Sequence, residues 1–233
     1  MENKKKTIFA FENTDKHTPM KSIKINFSPA DGTELKGQSK WWGSADLPAD
    51  MDYPFIPYDD GENDPMTFIC QIRCADLAEA DTENLLPHEG MLYFFADIDE
   101  FVHHMDEGCE CGYYNGISEW DPELSRVIYS PTTDNLQSHT IVDENNKPLG
   151  LPAQKITFEA IDNPYTYDFK LLGLPYFEEI RENYPDHINL LQLDENEDWG
   201  MLFYDCGMVC FVITPEDLKA RRFDRVKFYF HCL

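Results

Sequence analysis

Apolar and polar residues alternate near both ends of the chain. The segments 22–27 and 225–230 each change between polar and apolar with a period of two, which is the pattern of a strand with one buried face. Between them lie denser apolar runs that are short and rich in aromatic or branched residues, so we interpret them as buried or partly buried strands. These runs are Met66 to Ile72, Met91 to Ala96, Val127 to Tyr129, Ile188 to Leu193 and Met208 to Ile213.

Helical signals are fewer and shorter. The segments 74–80 and 176–184 are compatible with short helices. Thr214 offers an N-cap, Pro215 suits the first helical position and two acidic residues follow, so a helix is predicted there, before residues 218–223. The whole pattern predicts a strand-dominated α+β fold with mostly antiparallel sheets and a few short helices.

Three pairs of short motifs recur in the same order in the two halves of the chain. KWWGSADLP (40–48) is followed by KLLGLP (170–175), FICQI (68–72) by LLQL (190–193), and GMLYFF (90–95) by GMVCFV (207–212). Each set consists of a turn, a strand with one Gln and a strand that begins after a Gly. Because such self-similarity indicates an internal repeat, we predict a single domain over residues 1–233 with pseudo-repeats 39–130 and 168–231.

Each predicted Gln-bearing strand places its amide opposite two apolar neighbours. Side chains alternate across a strand, so Gln71 and Gln192 point away from the face that those neighbours bury. One interpretation is structural, with each amide bonded to the backbone of a nearby turn. The other is functional, with the two amides flanking a ligand cleft between the repeats. Both residues are therefore candidates for partner or ligand binding.

The charge of the chain is strongly negative, −25 over 233 residues. Residues 41–218 carry most of it, with 6 basic against 38 acidic groups, whereas the two ends are weakly basic. Such a surface repels phosphates and anionic lipid headgroups, which argues against nucleic-acid and membrane binding. A basic protein partner, a cation or solubility alone stays compatible with it.

The seven cysteines and the apolar segments bear on location. An odd number of cysteines spread over a chain of this size fits reduced thiols better than a disulfide framework. No apolar run approaches the roughly 18 residues of a membrane span, and only a short apolar segment follows the lysines at 4–6. We therefore expect a cytoplasmic protein, and no motif indicates a cofactor.

A family resemblance rests on motifs spread over residues 39–230. The matching segments are Ser39 to Gly43 with Leu47-Pro48, Pro65-Met66 with Gln71-Ile72, Leu85 to Pro87 with Gly90 to Phe95, Leu172-Gly173, Leu190 to Asp194, Asp205 to Gly207, Asp217-Leu218 and Phe223 to Val226. With these motifs in order, the chain resembles the bacterial domain-of-unknown-function family typified by YwqG. It departs from the family pattern at Trp42, where the pattern has a glycine, and at Cys70, where alanine is usual.

The resemblance implies an α+β fold and a soluble cytoplasmic protein, without an established activity or catalytic residues. Some related acidic bacterial domains act as immunity proteins against secreted toxins. That role reaches this chain only by analogy, because a fold does not carry a function.

The stretch around residues 103–111 is the most site-like in the chain. His103, His104, Cys109 and Cys111 offer up to four zinc-type ligands within nine residues. Structural zinc sites usually take two separated ligand pairs, which this spacing does not provide. The alternative is a solvated insertion after the strand at 91–96, so these four residues are candidate ligands on donor chemistry alone.

Trp41 and Trp42 begin an aromatic stretch that is rich in proline and acidic residues and extends to Tyr58. Such rings are suited to a groove that binds a peptide or a partner protein. The alternative is that they seal the side of a sheet. Trp41 and Trp42 therefore join Gln71 and Gln192 as candidate binding residues.

The preferred hypothesis is a non-catalytic, acidic, cytoplasmic domain that binds a basic protein, in the manner of an immunity protein or antitoxin. Its charge would speed the encounter with a basic toxin. The alternative is an uncharacterised enzyme or metal-binding protein that uses a cleft between the repeats. No complete catalytic motif is present, and the sequence leaves the oligomeric state open.

Overall fold

The apolar runs form the strands of one large antiparallel sheet. A computed structural model describes residues 20–57, 63–102, 116–204 and 206–232. The strands in these ranges are β1 (Ser22–Pro29), β2 (Lys40–Trp41), β3 (Ala45–Pro48), β4 (Phe55–Pro57), β5 (Asn63–Pro65), β6 (Thr67–Arg73), β7 (Met91–Ala96), β8 (Gly116–Glu119), β9 (Ser125–Ser130), β10 (Leu136–His139), β11 (Gln154–Ile161), β12 (Lys170–Leu172), β13 (Ile188–Leu193), β14 (Met208–Ile213) and β15 (Lys227–Cys232). The sheet has 11 strands in the order β8-β15-β14-β13-β12-β1-β11-β2-β6-β7-β9, and β3–β10 and β4–β5 form two small sheets.

The α+β class predicted from the sequence is wrong, because the described residues form a mostly β structure with 41% strand and 14% helix. The α-helices are α1 (Asp99–Val102), α2 (Glu178–Asn183) and α3 (Pro215–Lys219), and 3-10 turns lie at Cys74–Leu77, Pro122–Leu124, Glu197–Trp199 and Phe223–Arg225.

The helices fail to form a layer because they stop after one or two turns. The cap at Thr214 forms as predicted, since its hydroxyl accepts a hydrogen bond from the Asp217 N–H at 3.1 Å. The helix nevertheless ends at Lys219, and Arg221 then takes a left-handed backbone conformation with φ of 54°. Among the described residues, no helix is both long and apolar enough to cross a bilayer.

The continuous apolar runs are explained by burial of both faces of the sheet. Alternate residues of β7 enter the main core (Leu92, Phe94, Ala96) and a second cluster on the opposite face (Met91, Tyr93, Phe95). Alternate residues of β14 divide in the same way between the main core (Val209, Phe211, Ile213) and a third cluster (Met208, Cys210, Val212). A strand covered on both sides has no position left for a solvated polar side chain.

The two halves of the sheet have matching registers. Lys40 pairs with Gln71 between β2 and β6, and Lys170 pairs with Gln192 between β12 and β13. The register of β6 with β7 shifts two residues before Gln71, and that of β13 with β14 shifts two residues before Gln192. Each half therefore has a bulge at the same distance from its buried Gln.

The strands β1 and β11 each pair with a strand from the other half of the chain. β1 belongs to the first half of the chain and pairs with β12 of the second, while β11 pairs with β2 of the first. The two strands also pair with each other over the eight residues of each. A duplication in which the two repeats exchanged their first strands would produce this arrangement. The pseudo-repeats and the single domain stay predictions.

Candidate functional site

A buried ion pair fixes the turn between β2 and β3. Lys40 Nζ donates a hydrogen bond to Asp46 Oδ2 at 2.7 Å, and the two side chains are 6% and 0% exposed. The Gly37 N–H and Gln71 Nε2 also donate to Oδ2, at 2.9 and 2.8 Å, and Ser138 Oγ donates to Oδ1 at 2.6 Å. Burial alone would raise the pKa of Asp46, but the hydrogen bonds outweigh it and hold this pKa below its usual value.

The equivalent lysine of the second half has no carboxylate partner among the described residues. Lys170 is 0% exposed, and its Nζ donates to the backbone oxygens of Pro164 and Leu174 at 3.0 and 2.8 Å. Burial lowers the pKa of Lys170 to about 8. The first half thus compensates its buried ammonium with a carboxylate, and the second half compensates it only with carbonyl dipoles.

The backbone turns through the left-handed region directly after β2 and at the end of β12. Trp42 and Gly43 have φ of 59° and 78°, and Leu172 and Gly173 have φ of 56° and 72°. A Cβ on Gly43 would lie 2.8 Å from Ala153 Cβ, so the close approach of another segment requires glycine there. Trp42 keeps a bulky side chain in a conformation that normally costs roughly 1–2 kcal/mol.

A cavity of about 620 Å³ opens beside Trp42. Its volume lies in the range of about 300–1,000 Å³ that is usual for ligand pockets. Its buried apolar wall consists of Trp42, Tyr53, Ile56, Met66, Phe68 and Val102. The cavity joins the end of β2, the start of β6, α1 and the segment 139–152.

The carboxylates described in the cavity lining come from three aspartates. Asp64, Asp97 and Asp99 line the cavity, and no Lys or Arg is among its described lining residues. Asp64 and Asp99 are exposed, while Asp97 is half-buried. Burial raises the pKa of Asp97, and repulsion from Glu100, Asp99 and Asp64 adds to this rise. The cavity therefore holds negative charge that its described residues do not neutralise.

Two ring nitrogens at the cavity lack partners. Trp42 is 2% exposed, and its Nε1 is buried without a hydrogen-bond partner among the described residues. The same holds for Nε2 of His139, whose ring lies 6.2 Å from that of Tyr53. Buried polar groups are normally satisfied, and the indole N–H of Trp41 in the main core is unpartnered as well, so the two nitrogens do not by themselves indicate a ligand.

Both predicted tryptophans lie in the main core, and Trp42 also lines the cavity. Trp41 is 0% exposed and packs edge-on against Phe27 and Phe169, with centroid distances of 5.4 Å to each. It also stacks on Trp199 at 6.4 Å. The placement of Trp41 agrees with the alternative that this ring seals the sheet.

The two predicted glutamines point away from the main core, as the alternation requires, and both are 0% exposed. Gln71 Nε2 donates to the Gln38 carbonyl at 2.9 Å, and its Oε1 accepts from the Asp46 N–H at 2.9 Å. Gln192 Nε2 donates to the carbonyls of Thr166 and Asp168 at 3.2 and 2.9 Å. This geometry agrees with the structural interpretation, and a ligand-binding role for either amide stays a prediction.

The predicted metal ligands His103, His104, Cys109 and Cys111 lie outside the described residues. Within residues 20–57, 63–102, 116–204 and 206–232, no group of three or more His, Cys, Asp or Glu is arranged to hold a metal ion. Burial raises the pKa of the Cys74 and Cys210 thiols to about 12. Neither thiol is therefore an effective nucleophile at neutral pH.

Sequence patterns alone miss the acidic cavity. Its described lining runs from Trp42 to Pro152, so it comes from the first pseudo-repeat and the segment after it, not from a cleft between the repeats. Asp64 is separated from Asp97 and Asp99 by a long stretch of chain, and all three stand among 44 acidic residues. The one usable signal was Trp42, at a position where the family pattern has glycine.

The fold and the cavity together define a mostly β protein with a duplicated strand register and an acidic, aromatic pocket. The chain matches the family described as Domain of unknown function (DUF1963) over residues 39–232, and it belongs to that family. No curated protein matches the chain.

Proposed function

We propose that the protein is a non-catalytic binding domain that recognises a basic protein through the acidic cavity. The observation that carries the proposal is the lining itself, in which Asp64, Asp97 and Asp99 face an apolar wall without a neutralising Lys or Arg among the described residues. Interfaces use aromatic side chains to anchor a partner and opposite charges to select it. A basic partner satisfies both requirements.

The charge of the whole chain supports the same class of partner. With −25 over 233 residues, the long-range field attracts a basic protein and repels nucleic acid and anionic lipid. An immunity-type or antitoxin-like protein would use this field to accelerate its association with a basic toxin. It would also compete with the anionic substrate of such a toxin.

We place the chain in the YwqG-like part of its family and in the bacterial cytoplasm. The ordered motifs between Ser39 and Val226 support the family placement, and the odd number of cysteines supports a reducing compartment. The matched registers of Lys40 with Gln71 and of Lys170 with Gln192 support one duplicated domain.

The proposed function is tested by capture from an extract of the source organism at low and at moderate salt. The bait is the full chain, compared with Asp97→Asn and with Asp31→Asn, which removes the same charge from an exposed turn outside the cavity lining. We expect a basic protein that binds wild type and Asp31→Asn, is lost with Asp97→Asn and weakens as salt rises. The captured protein is then purified, and binding is measured with the pair alone.

Two results would contradict the proposal. One is recovery of no basic protein at either salt concentration. The other is a purified basic partner whose affinity is the same for Asp97→Asn and for wild type, because the cavity would then have no part in recognition.

A further inference from the structure

The lining of the cavity restricts the chemistry of a ligand more than the net charge of the chain does. The apolar wall of the cavity is buried, Asp64 and Asp99 are exposed, and Asp97 is half-buried. A ligand that fits this arrangement is apolar along its length and positively charged. Lysine and arginine side chains have this construction, with an aliphatic stem and a cationic end.

We propose that the cavity receives a single cationic side chain, a lysine or an arginine presented by the partner, whose charged end pairs with Asp97. This inference rests on the proposed function and names the group that is recognised. The stem packs against Trp42 and Phe68, which are 2% and 6% exposed in the cavity wall. The volume of about 620 Å³ also leaves room for neighbouring residues of the partner.

Two features independent of the acidic residues support a ligand at this place, the cavity volume of about 620 Å³ and the backbone of Trp42 in its wall. Trp42 holds a left-handed backbone with φ of 59°, which a bulky side chain disfavours. Backbone strain concentrates at functional sites, where the surrounding structure maintains it.

Asp97 is the residue that distinguishes a cationic ligand from a neutral one. Burial and the repulsion of Asp64, Asp99 and Glu100 disfavour its charged form in the free protein. An ammonium or guanidinium group relieves both effects at once. A neutral apolar ligand of the same shape leaves Asp97 desolvated and unpaired, which is costly.

The test uses two small probes that differ in one group. Binding of N-acetyl-lysine N-methylamide and of N-acetyl-norleucine N-methylamide, which lacks the ammonium, is measured by NMR on the full chain. The matching arginine derivative is the third probe. We expect wild type to bind the lysine or the arginine probe at least about tenfold more tightly than the norleucine probe, a difference of about 1.4 kcal/mol.

The variants separate the cavity from the rest of the acidic surface. Asp97→Asn should abolish the preference for the cationic probes, while Asp31→Asn should retain it. Thermal unfolding of each variant confirms that the protein tested is folded. Equal affinity of wild type for charged and neutral probes would overturn the inference, and so would no binding of either cationic probe at about 10 mM.

Failure of this inference is distinguishable from failure of the proposed function. If a basic partner is captured through the cavity but neither cationic probe binds, the single-side-chain inference falls and the function stands. If a cationic probe binds at Asp97 but no basic protein is captured, the cavity is a cation site and the protein-binding function falls.

Discussion

Lys40 Nζ lies 2.7 Å from Asp46 Oδ2, and both side chains are buried. Its counterpart Lys170 occupies the same register position beside a Gln, but its Nζ donates only to backbone oxygens among the described residues. The two buried lysines therefore form a natural comparison, in which the same group is compensated in two different ways.

Lys40→Met should destabilise the protein by about 3–5 kcal/mol, because it leaves the buried Asp46 carboxylate without its cation. Chemical denaturation measures the free energy of unfolding. The double variant Lys40→Met with Asp46→Leu should recover part of the loss, since it removes the unpaired charge. A Lys40→Met protein as stable as wild type would show that the ion pair is not needed.

Lys170→Met should cost less than Lys40→Met, and its effect should depend on pH. The folded-state pKa of Lys170 is about 8 against the usual 10.5, a difference worth roughly 3 kcal/mol. Between these two pH values the unfolded chain binds the proton more tightly, so Lys170 makes stability rise with pH. Below pH 8 its burial cost is present in full.

Denaturation of wild type and Lys170→Met is therefore compared across pH 8 to 10.5. The difference in free energy of unfolding between the two proteins should change in favour of wild type as pH rises. This difference cancels the titration of the buried thiols, which acts in the opposite direction in both proteins. A pH-independent difference would contradict the lowered pKa of Lys170.

Trp42→Gly should be more stable than Trp42→Ala by about 1 kcal/mol, because residue 42 has φ of 59° and glycine adopts this conformation without strain. At Trp41, which lies in β2, the alanine variant should be more stable than the glycine variant, because glycine is less favourable than alanine in a strand. Thermal unfolding of the four variants checks both orders. The same order at both positions would contradict the left-handed turn.

Gly43→Ala should destabilise the protein more than Gly32→Ala. The two glycines have nearly equal φ, 78° and 75°, so the strain from the backbone conformation is matched. A Cβ at Gly43 meets Ala153 Cβ at 2.8 Å, whereas nothing lies within 4 Å of a Cβ at Gly32. The difference in free energy of unfolding measures the close packing beside the cavity, and no difference would mean that the segment at Ala153 moves away freely.

The sequence pattern predicts the strands well where both faces are buried. The predicted bounds of β7, β13 and β14 agree with those of the structure. A short apolar run has few ways to bury all of its side chains other than a strand covered on both faces. The helices are overestimated, since a good cap such as Thr214 starts a helix but does not lengthen it. The fold class was wrong for this reason.

The cavity could not be predicted from the sequence pattern. Asp64 meets Asp97 and Asp99 only through tertiary packing, and Trp42 lines the cavity at a left-handed turn that its residue type disfavours. The alternation along β6 and β13 did place Gln71 and Gln192 on the correct face. It did not show that both amides already have hydrogen-bond partners. These partners are Asp46 and backbone groups for Gln71, and backbone groups for Gln192.

Asp97→Asn should stabilise the free protein while it weakens recognition of a cation. The folded-state pKa of Asp97 is raised, so the folded protein holds a proton more tightly than the unfolded chain between pH 3.8 and that raised value. Stability contributed by this group falls as pH rises through this window. Asn carries no such penalty, and the free energy of unfolding of the variant should exceed that of wild type at neutral pH.

The central claim, that the cavity is a cation-binding site organised around Asp97, is tested most directly by the pKa of Asp97 itself. Carbon-detected NMR follows its carboxyl group through a pH titration, with and without saturating N-acetyl-lysine N-methylamide. The pKa should be raised in the free protein and should fall when the probe is bound, because the ammonium favours the charged carboxylate. A pKa of Asp97 that is the same with and without the probe would contradict the claim.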